Sequence, residues 1–389
     1  MDDSTQGTQQ RNGGGAAPHH ADLEWRETVR GRKPGDQVVR IATHRGFQRV
    51  RPGYLVPRSD GSEQAGRLGR FMRLVLGDPI PTAHESHERL TKVKALAVFS
   101  SDALSSVAYA TEEIMKVLVL GGAALLSLTL PISLAIVALL AIVVLSYRQT
   151  IRAYPSGGGS YIVASANLGQ VPGLTAAASL LIDYVLTVSV SVAAGVAALT
   201  SLAPSLLDWS LVLSIGFVVF IAVLNLRGIR ESGSIFAVPT YVFVGLMYLL
   251  IADFSYTPPE SALEPGNQPL GLFLLMAAFA QGCTAMTGTE AISNGVPAFK
   301  APEAFNARVT LVAMGVVLGT MFFGVSFLSA QVGILPAESE TVLSQLGRVV
   351  FGSDGPGTAL WVLLQVFTAL ILVLAANTSF ADFPRLASA

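Results

Sequence analysis

The fold is decided by a stretch that reads SSDALSSVAY, residues 100–109, inside an otherwise apolar run near residues 95–119. Four serines around Asp102 suit a continuous lipid-facing helix poorly. They suit a helix that unwinds in mid-membrane, where freed backbone groups need polar partners. Such a break gathers carbonyl, hydroxyl and carboxylate oxygens, the ligands of a hard cation. The serines alone could instead serve close helix packing, but packing gives no reason for Asp102.

The composition around this stretch is that of an integral membrane protein. Of 389 residues, 51% are hydrophobic and 13% are charged, whereas a soluble chain carries roughly 25% charged residues. Thirteen of the 25 Lys and Arg residues precede Val75. Beyond that point the chain consists of long apolar runs joined by short polar connectors. Runs of about 18 or more apolar residues are typical of membrane-spanning helices.

Eight membrane segments are predicted after residue 94. We expect them near residues 95–119, 126–147, 172–202, 210–226, 234–253, 269–297, 308–332 and 357–378. The first, third and sixth are either interrupted or too long and polar to be simple helices. The clearest breaks lie in the first and sixth segments, and two broken segments in corresponding positions indicate an inverted-repeat transporter with its site at the breaks. The sequence therefore predicts an all-α membrane protein.

The connecting loops carry their charges on alternating sides. One set contains Arg148, Arg152, Arg227, Arg230, Lys300, Arg308 and Arg385. The other contains Asp208, Glu260, Glu264, Glu338, Glu340 and Asp354, with Arg348 as its one basic residue. Because basic loops stay in the cytoplasm, eight crossings place both termini there.

Three regions are expected along the chain. Residues 1–68 form a basic cytoplasmic tail, partly disordered at its start, and residues 69–94 form a juxtamembrane segment. Residues 95–389 form the membrane domain, with a first repeat near 95–253 and part of a second near 269–389. Within the tail, residues 38–56 contain apolar residues among four arginines. They could form a short strand or lie on anionic lipid, while composition alone favours a solvated tail.

A second acid, Asp183, begins a polar stripe in the third segment. Thr187 and Ser191 follow at spacings of four residues, so on one helix the three oxygen side chains share a face. An acid inside a membrane segment is a functional candidate by default, and this stripe would line a cation path. Thr187 and Ser191 taken singly could instead bond to carbonyls of their own helix.

A third acid, Glu290, lies in the Gly- and Thr-rich stretch CTAMTGTEAISNG, residues 283–295, with Thr287 about one turn before it. Desolvation penalises the charged form of a buried carboxyl group, so Glu290 is the candidate proton-coupling residue. A protonated Glu290 that bonds backbone groups at the break is an equally open interpretation. By contrast, Glu112, Glu113 and Lys116 lie within one turn, and local pairing explains them.

Several classes of function are excluded by what the sequence lacks. The single Cys283 allows no intramolecular disulfide and no multi-cysteine metal site. The five histidines have no metal-ligand spacing. The Gly-rich stretch at residues 154–161 has no Walker lysine and is predicted to be a re-entrant or tightly packed cytoplasmic turn. We expect no catalytic residues, no resident cofactor and no nucleic-acid partner, so the chain is not predicted to be an enzyme.

Three motifs carry a family resemblance: residues 101–109, the Tyr-Pro and triple-Gly turn at 154–159, and residues 377–385, which read NTSFADFPR. They resemble the amino acid–polyamine–organocation permeases, and among those the bacterial Kup-type potassium uptake permeases of the Kim branch. The resemblance implies an inverted five-plus-five repeat of the LeuT type and import of K⁺ with protons. It places cation-binding roles on Asp102, Tyr109, Asp183, Thr187, Ser191, Thr287 and Glu290, with potassium at Asp102 and Asp183.

The resemblance also leads us to expect about four further helices beyond Ala389, so that the second repeat is incomplete. The lipid bilayer and a small cation are the expected partners, with a homodimer suggested by relatives, and the bacterial plasma membrane is the expected location. Two alternatives stay open. One is an amino-acid or polyamine permease of the same fold, although an anionic carboxylate would be repelled by Asp102. The other is a non-transporting membrane sensor or scaffold.

Overall fold

The computed structural model describes residues 26–30, 37–41, 47–51, 54–57, 89–155, 157, 159–226, 233–252, 271–352 and 355–387. It divides into two units, residues 1–74 and residues 75–389. The predicted disorder at the start of the chain, and the juxtamembrane segment up to residue 88, lie outside the described residues.

The first unit contains two antiparallel strand pairs. Strand β1 (Arg26–Arg30) pairs with β2 (Gln37–Ile41), and β3 (Phe47–Arg51) pairs with β4 (Tyr54–Pro57). The second pair has an irregular register between Arg49 and Arg51. Of the interpretations given for residues 38–56, the structure has strands, in keeping with their content of Val, Ile, Phe and Tyr.

The second unit is built from α-helices throughout its described part. They are α1 (Lys92–Ser105), α2 (Ala110–Val119), α3 (Thr129–Ala153), α4 (Gly159–Leu168), α5 (Gln170–Leu202), α6 (Ser210–Leu226), α7 (Gly233–Ala252), α8 (Leu272–Gly282), α9 (Ala291–Asn294), α10 (Glu303–Val332), α11 (Val342–Phe351) and α12 (Pro356–Ala387). Short 3₁₀ turns precede or join several of them, at Ser106–Ala108, Ala123–Leu128, Pro204–Trp209, Cys283–Met286 and Val296–Ala298.

Each of the eight predicted segments contains a helix, and the prediction of an all-α membrane protein is confirmed. Six helical stretches of the described chain are long and apolar enough to cross a membrane. The first predicted segment corresponds to α1 and α2 together, and the fifth to α7. Helices α4 and α11, each of ten residues, were not predicted, because their length is too short for a membrane span.

The first and sixth segments are broken, as predicted, but the third is not. Helix α5 runs without interruption over 33 residues. Its polar residues Thr187 and Ser191 are buried on one face, while Ile182, Val185 and Leu186 are exposed. A polar stripe on one face needs no freed backbone groups, so the helix has no reason to unwind.

The first break also lies later than expected. Helix α1 continues through Asp102 to Ser105, and the 3₁₀ turn Ser106–Ala108 follows it. Three serines stabilise the helix end locally: Ser101 and Ser105 bond to carbonyls three residues earlier, and Ser106 lies 2.6 Å from the Ala103 carbonyl. Side chains of this kind compensate the carbonyl groups that a helix end leaves open.

Helix α1 is the centre of the bundle, packed between α7, α10 and α12. Helix α5 lies along α12, α3 lies along α10, and α2 packs on α8. The largest buried cluster includes residues from α1, α2, α3, α7, α8, α10 and α12, and Ala194 of α5 packs against it. The two halves of the first segment therefore have protein on most sides, which a mid-membrane break requires.

The bundle has two ends, named here after a residue at each. At the Arg89 end, Leu90 forms a parallel bridge with Phe299, and the turn before α4 packs on the end of α9. A Cβ atom on Gly157 would lie 2.8 Å from the Asn294 carbonyl oxygen, so the predicted tightly packed turn is confirmed. At the Lys116 end, α2 meets the start of α11.

Candidate functional site

The two broken segments meet at the centre of the bundle. The Ser106 hydroxyl lies 3.0 Å from the Ala285 carbonyl of the second break. Gly288 has a φ of +74°, and a Cβ atom there would lie 2.7 Å from Asp102 Cγ. Only glycine combines that backbone angle with that close approach at little cost. The second break therefore lies directly against the Asp102 side chain.

Asp102 is buried where the two breaks meet, and only one of its two carboxylate oxygens has a hydrogen-bond partner in the described chain. Its side chain is 4% exposed. The Ser379 hydroxyl donates to Oδ2 over 3.2 Å, whereas Oδ1 is buried without a hydrogen-bond partner among the described residues. The nearby Ser100 hydroxyl is also buried and unpartnered. Buried polar atoms normally have partners, so a bound cation or proton would supply what this geometry lacks.

The polar stripe of α5 faces the same region. Asp183 is partly buried, Thr187 is 4% exposed and Ser191 is fully buried. The Ser191 hydroxyl has no partner in the described chain, so it does not bond to its own helix as the simpler interpretation proposed. The Asp183 carboxylate interacts electrostatically with Asp102 and Glu290.

Tyr109 and Thr287 close the centre on the side of the Lys116 end. Tyr109 lies at the join between the 3₁₀ turn and α2 and is 6% exposed. Its hydroxyl interacts with the Thr287 side chain and with the charge of Asp102. Thr287 also donates to the Thr284 carbonyl over 3.0 Å. Tyr109 and Thr287 therefore link the first and second breaks between Asp102 and the Lys116 end.

Glu290 is 6% exposed and immediately precedes α9. It interacts with the charges of Asp102, Asp183 and Asp382. Between described residues, no salt bridge neutralises Asp102, Asp183 or Glu290. Like charges gathered in a low-dielectric interior repel one another, so the centre favours positive charge in the form of protons or bound cations.

Contacts or electrostatic interactions link five of the seven sequence-predicted residues, namely Asp102, Tyr109, Asp183, Thr287 and Glu290. Thr187 and Ser191 are buried on the same helix as Asp183. Asp102 and Tyr109 come from the first break, Thr287 and Glu290 from the second, and the α5 stripe from the third. Within the described ranges, no cluster of three or more His, Cys, Asp or Glu residues could hold a metal ion. A cation here would be held by mixed hydroxyl, carboxylate and carbonyl oxygens.

Sequence reasoning missed three residues of this centre. Gly288 was noted only as part of a break, Ser379 bonds directly to Asp102, and Asp382 interacts electrostatically with Asp102 and Glu290. Ser379 and Asp382 belong to a motif that was recognised, but no role was assigned to them. Their signal is a polar pair at the end of an apolar helix, three residues apart and therefore on one face.

The predicted local pairing of Glu112, Glu113 and Lys116 is confirmed. The Lys116 ammonium lies 2.9 Å from a carboxylate oxygen of each glutamate. One further contact was not foreseen: Glu112 Oε2 accepts the Val342 backbone N–H at 3.0 Å, at the first residue of α11. A carboxylate at a helix N-terminus is favourable because it satisfies a free N–H group.

Comparison with known proteins relates this chain to a permease family and to a curated transporter. The family model described as "Amino acid permease" matches residues 90–389. A curated protein, the potassium transporter KimA of Bacillus subtilis strain 168, is 46% identical over 324 residues, which is 81% of this chain and 53% of that protein. The chain therefore spans about half the length of the curated relative that it matches.

Proposed function

We propose, from the premise that this chain belongs to the amino acid permease family, that it provides the ion-binding part of a secondary potassium importer driven by protons. The observation that carries the proposal is the buried Oδ1 atom of Asp102, which has no partner among the described residues. The same centre gathers further carboxylates, and no base from the described part of the chain neutralises them. The name of the Bacillus relative, a potassium transporter, supports K⁺ as the cation.

The binding roles follow from the ligands available. Dehydrated K⁺ requires several oxygen atoms, and the carboxylates of Asp102 and Asp183 supply the charge. Hydroxyl oxygens of Tyr109, Thr187, Ser191 and Thr287 are the neutral ligands in reach of the same centre. Carboxylate and hydroxyl oxygens suit a hard cation that carries no directional preference.

Proton coupling is assigned to Glu290. It is buried beside Asp102 and Asp183, so its charged state depends on how many positive charges share the centre. Protonation of Glu290 removes one negative charge from the centre, and burial favours this neutral form. A proton on Glu290 and a K⁺ ion held by Asp102 and Asp183 can then be bound together and move in the same direction. Glu290 thereby links the two fluxes without any resident cofactor.

In the proposed orientation, the Arg89 end of the bundle lies on the cytoplasmic side of the membrane. Of the basic residues assigned to the cytoplasm from the sequence, Arg148 and Arg152 lie in the last turns of α3, and others follow α6 and α9. These three helices all finish at that end. Because basic residues are retained on the cytoplasmic side, the Lys116 end faces the outside of a bacterial plasma membrane. An importer then receives its cation through the Lys116 end.

An amino-acid permease is the second candidate, and the match to the family described as "Amino acid permease" favours it. The geometry of the centre opposes it, because an amino acid brings a carboxylate that would meet Asp102. Amino acids added in excess over rubidium should therefore fail to compete for uptake, and a polyamine should compete only weakly.

The proposed function is tested by exchanging Asp183 for Asn in the complete reading frame that contains this chain. Rubidium uptake in a potassium-requiring bacterial host should fall to background, because one of the two charged ligands is lost. The matched control is Asp208→Asn, which neutralises an exposed acid in the Pro204–Trp209 turn outside the bundle. Uptake by Asp183→Asn equal to that of the unaltered protein would exclude the assignment. Absence of uptake by the unaltered protein would favour the sensor or scaffold.

A further inference from the structure

A cavity with mostly apolar walls and several polar groups leads from the Lys116 end towards the ion centre. It has a volume of about 310 Å³ and is lined by Tyr109 and by Glu112, Glu113 and Lys116. Gln281, Thr284, Thr341 and Thr368 complete its polar lining. A second cavity of about 440 Å³ shares Glu112, Lys116 and Thr341 with it and continues towards Glu338. The two form one approach that ends at Tyr109.

A fixed ammonium ion stands in this approach. The Lys116 side chain is about half exposed, and its ammonium lies 2.9 Å from both Glu112 and Glu113. Glu112 is held in place, since its other oxygen accepts the Val342 N–H at 3.0 Å. The groups that face Lys116 from α2 are the two glutamates, and from the neighbouring elements they are Thr341, Glu338 and Glu340. Glu340 is itself paired with Arg348.

We propose that Lys116 controls the entry of monovalent cations by occupying the Glu112–Glu113 carboxylate pair in the approach to Tyr109. This inference rests on the proposed function, because it treats the cavity as the path of the transported ion. Lys116 leaves the first cavity with one net negative charge instead of two. The local concentration of small cations in a cleft rises with the negative charge of its walls, so Lys116 keeps cation occupancy of the approach low.

The first experiment measures the electrostatics of the cavity without requiring transport. Thr284, which lines the cavity, is replaced by Cys in a Cys283→Ser background. The rate of its modification by a cationic methanethiosulfonate is divided by the rate with a neutral one. Lys116→Met should raise this ratio about threefold or more, and high ionic strength should reduce the difference. Lys116→Arg should leave the ratio unchanged.

The matched control is Arg348→Met, which removes a paired cation at the same end of the bundle. Arg348 binds Glu340 over 2.9 Å and lies over the Trp361 ring at 4.5 Å, but it lines neither cavity. An equal rise of the ratio in Arg348→Met would show a general surface effect and overturn the proposal. An unchanged ratio in Lys116→Met would overturn it as well.

Glu113→Gln changes the charge of the cavity in the opposite direction, because it removes a negative charge. The Glu113 side chain is 30% exposed, so its replacement is easier for the fold to accommodate than that of Glu112. It should lower the labelling ratio, and a ratio that stays the same or rises contradicts the proposal even if Lys116→Met does not fold.

Rubidium uptake provides the second readout. The apparent KM should fall in Lys116→Met and rise in Glu113→Gln, with the maximal rate retained. A KM that is the same in Lys116→Met as in the unaltered protein overturns this inference and leaves the proposed function standing. Failure of the unaltered protein to take up rubidium refutes the proposed function, while the labelling ratio still decides the role of Lys116.

Discussion

The two ends of the helix bundle differ in how tightly they close over the ion centre. At the Arg89 end, the Leu90 N–H donates to the Ala298 carbonyl over 2.7 Å, and the Lys300 N–H donates to the Leu90 carbonyl over 3.0 Å. The rings of Phe99 and Phe299 stack with centroids 5.6 Å apart. At the Lys116 end, two connected cavities reach as far as Tyr109.

This difference shows which end of the bundle is closed in this conformation. Backbone hydrogen bonds join the segment that enters α1 to the segment that leaves the second break. The two broken segments therefore pack together at the Arg89 end. The Lys116 end has open volume instead, and this volume stops at Tyr109. Tyr109 and Thr287 therefore still separate Asp102 from the Lys116 end, although the approach to the centre is wider there than at the Arg89 end.

The largest effect is expected where the two breaks touch. Gly288→Ala would place a Cβ atom 2.7 Å from Asp102 Cγ at a φ of +74°, which displaces either the break or the acid. A displacement on the order of 1 Å in an aligned site costs about 100-fold in rate. We therefore expect rubidium uptake to fall to about 1% or less.

Gly245→Ala is the control for that substitution, because an added Cβ atom there meets no atom within 4 Å. It should leave uptake unchanged. Normal uptake by Gly288→Ala would show that transport does not require the close contact between Asp102 and the second break.

An intermediate effect is expected from loosening the Arg89 end. Phe299 is fully buried, and Phe299→Ala should cost about 3–5 kcal/mol of stability, the usual range for a large aromatic residue in a core. The melting temperature of the purified protein should fall clearly. A Cys at position 100, buried near the stack, should then react faster with a thiol reagent added at the Arg89 side.

Phe273→Ala is the counterpart on α8, where the side chain is 85% exposed and faces the surface of the bundle. It should change neither the melting temperature nor the reactivity at position 100. If Phe299→Ala leaves both quantities unaltered, the aromatic stack does not close this end.

The smallest effect is expected from the ion pair at the same end. Arg89 pairs with Glu303 at the surface, and exposed pairs contribute little because water and salt screen them. Arg89→Ala should shift the melting temperature slightly at low salt and not at all at high salt. A large, salt-independent loss of stability would show that the ion pair, rather than the Phe99–Phe299 stack, secures the Arg89 end.

The acids of the site show which functional residues can be predicted from sequence patterns and which cannot. Asp102, Asp183 and Glu290 were identified because a charge within an apolar run is costly and therefore conspicuous. Ser379 and Asp382 escaped a role because they lie near the end of α12, where polar residues are expected on composition alone. Glu112 was explained by pairing within its own turn, and its bond to Val342 spans 230 residues, which no local pattern reveals.

The sequence by itself determined the membrane class, the positions of the helices and the breaks in the first and sixth segments. These follow from local causes: the apolar length of each run, and polar, Gly-rich stretches that cannot face lipid. Only the tertiary structure decided that α5 is continuous, that α1 unwinds after Ser105, and that Gly288 and Ser379 lie against Asp102. Those features depend on which helix packs beside which, and packing joins residues whose separation along the chain carries no periodic signal.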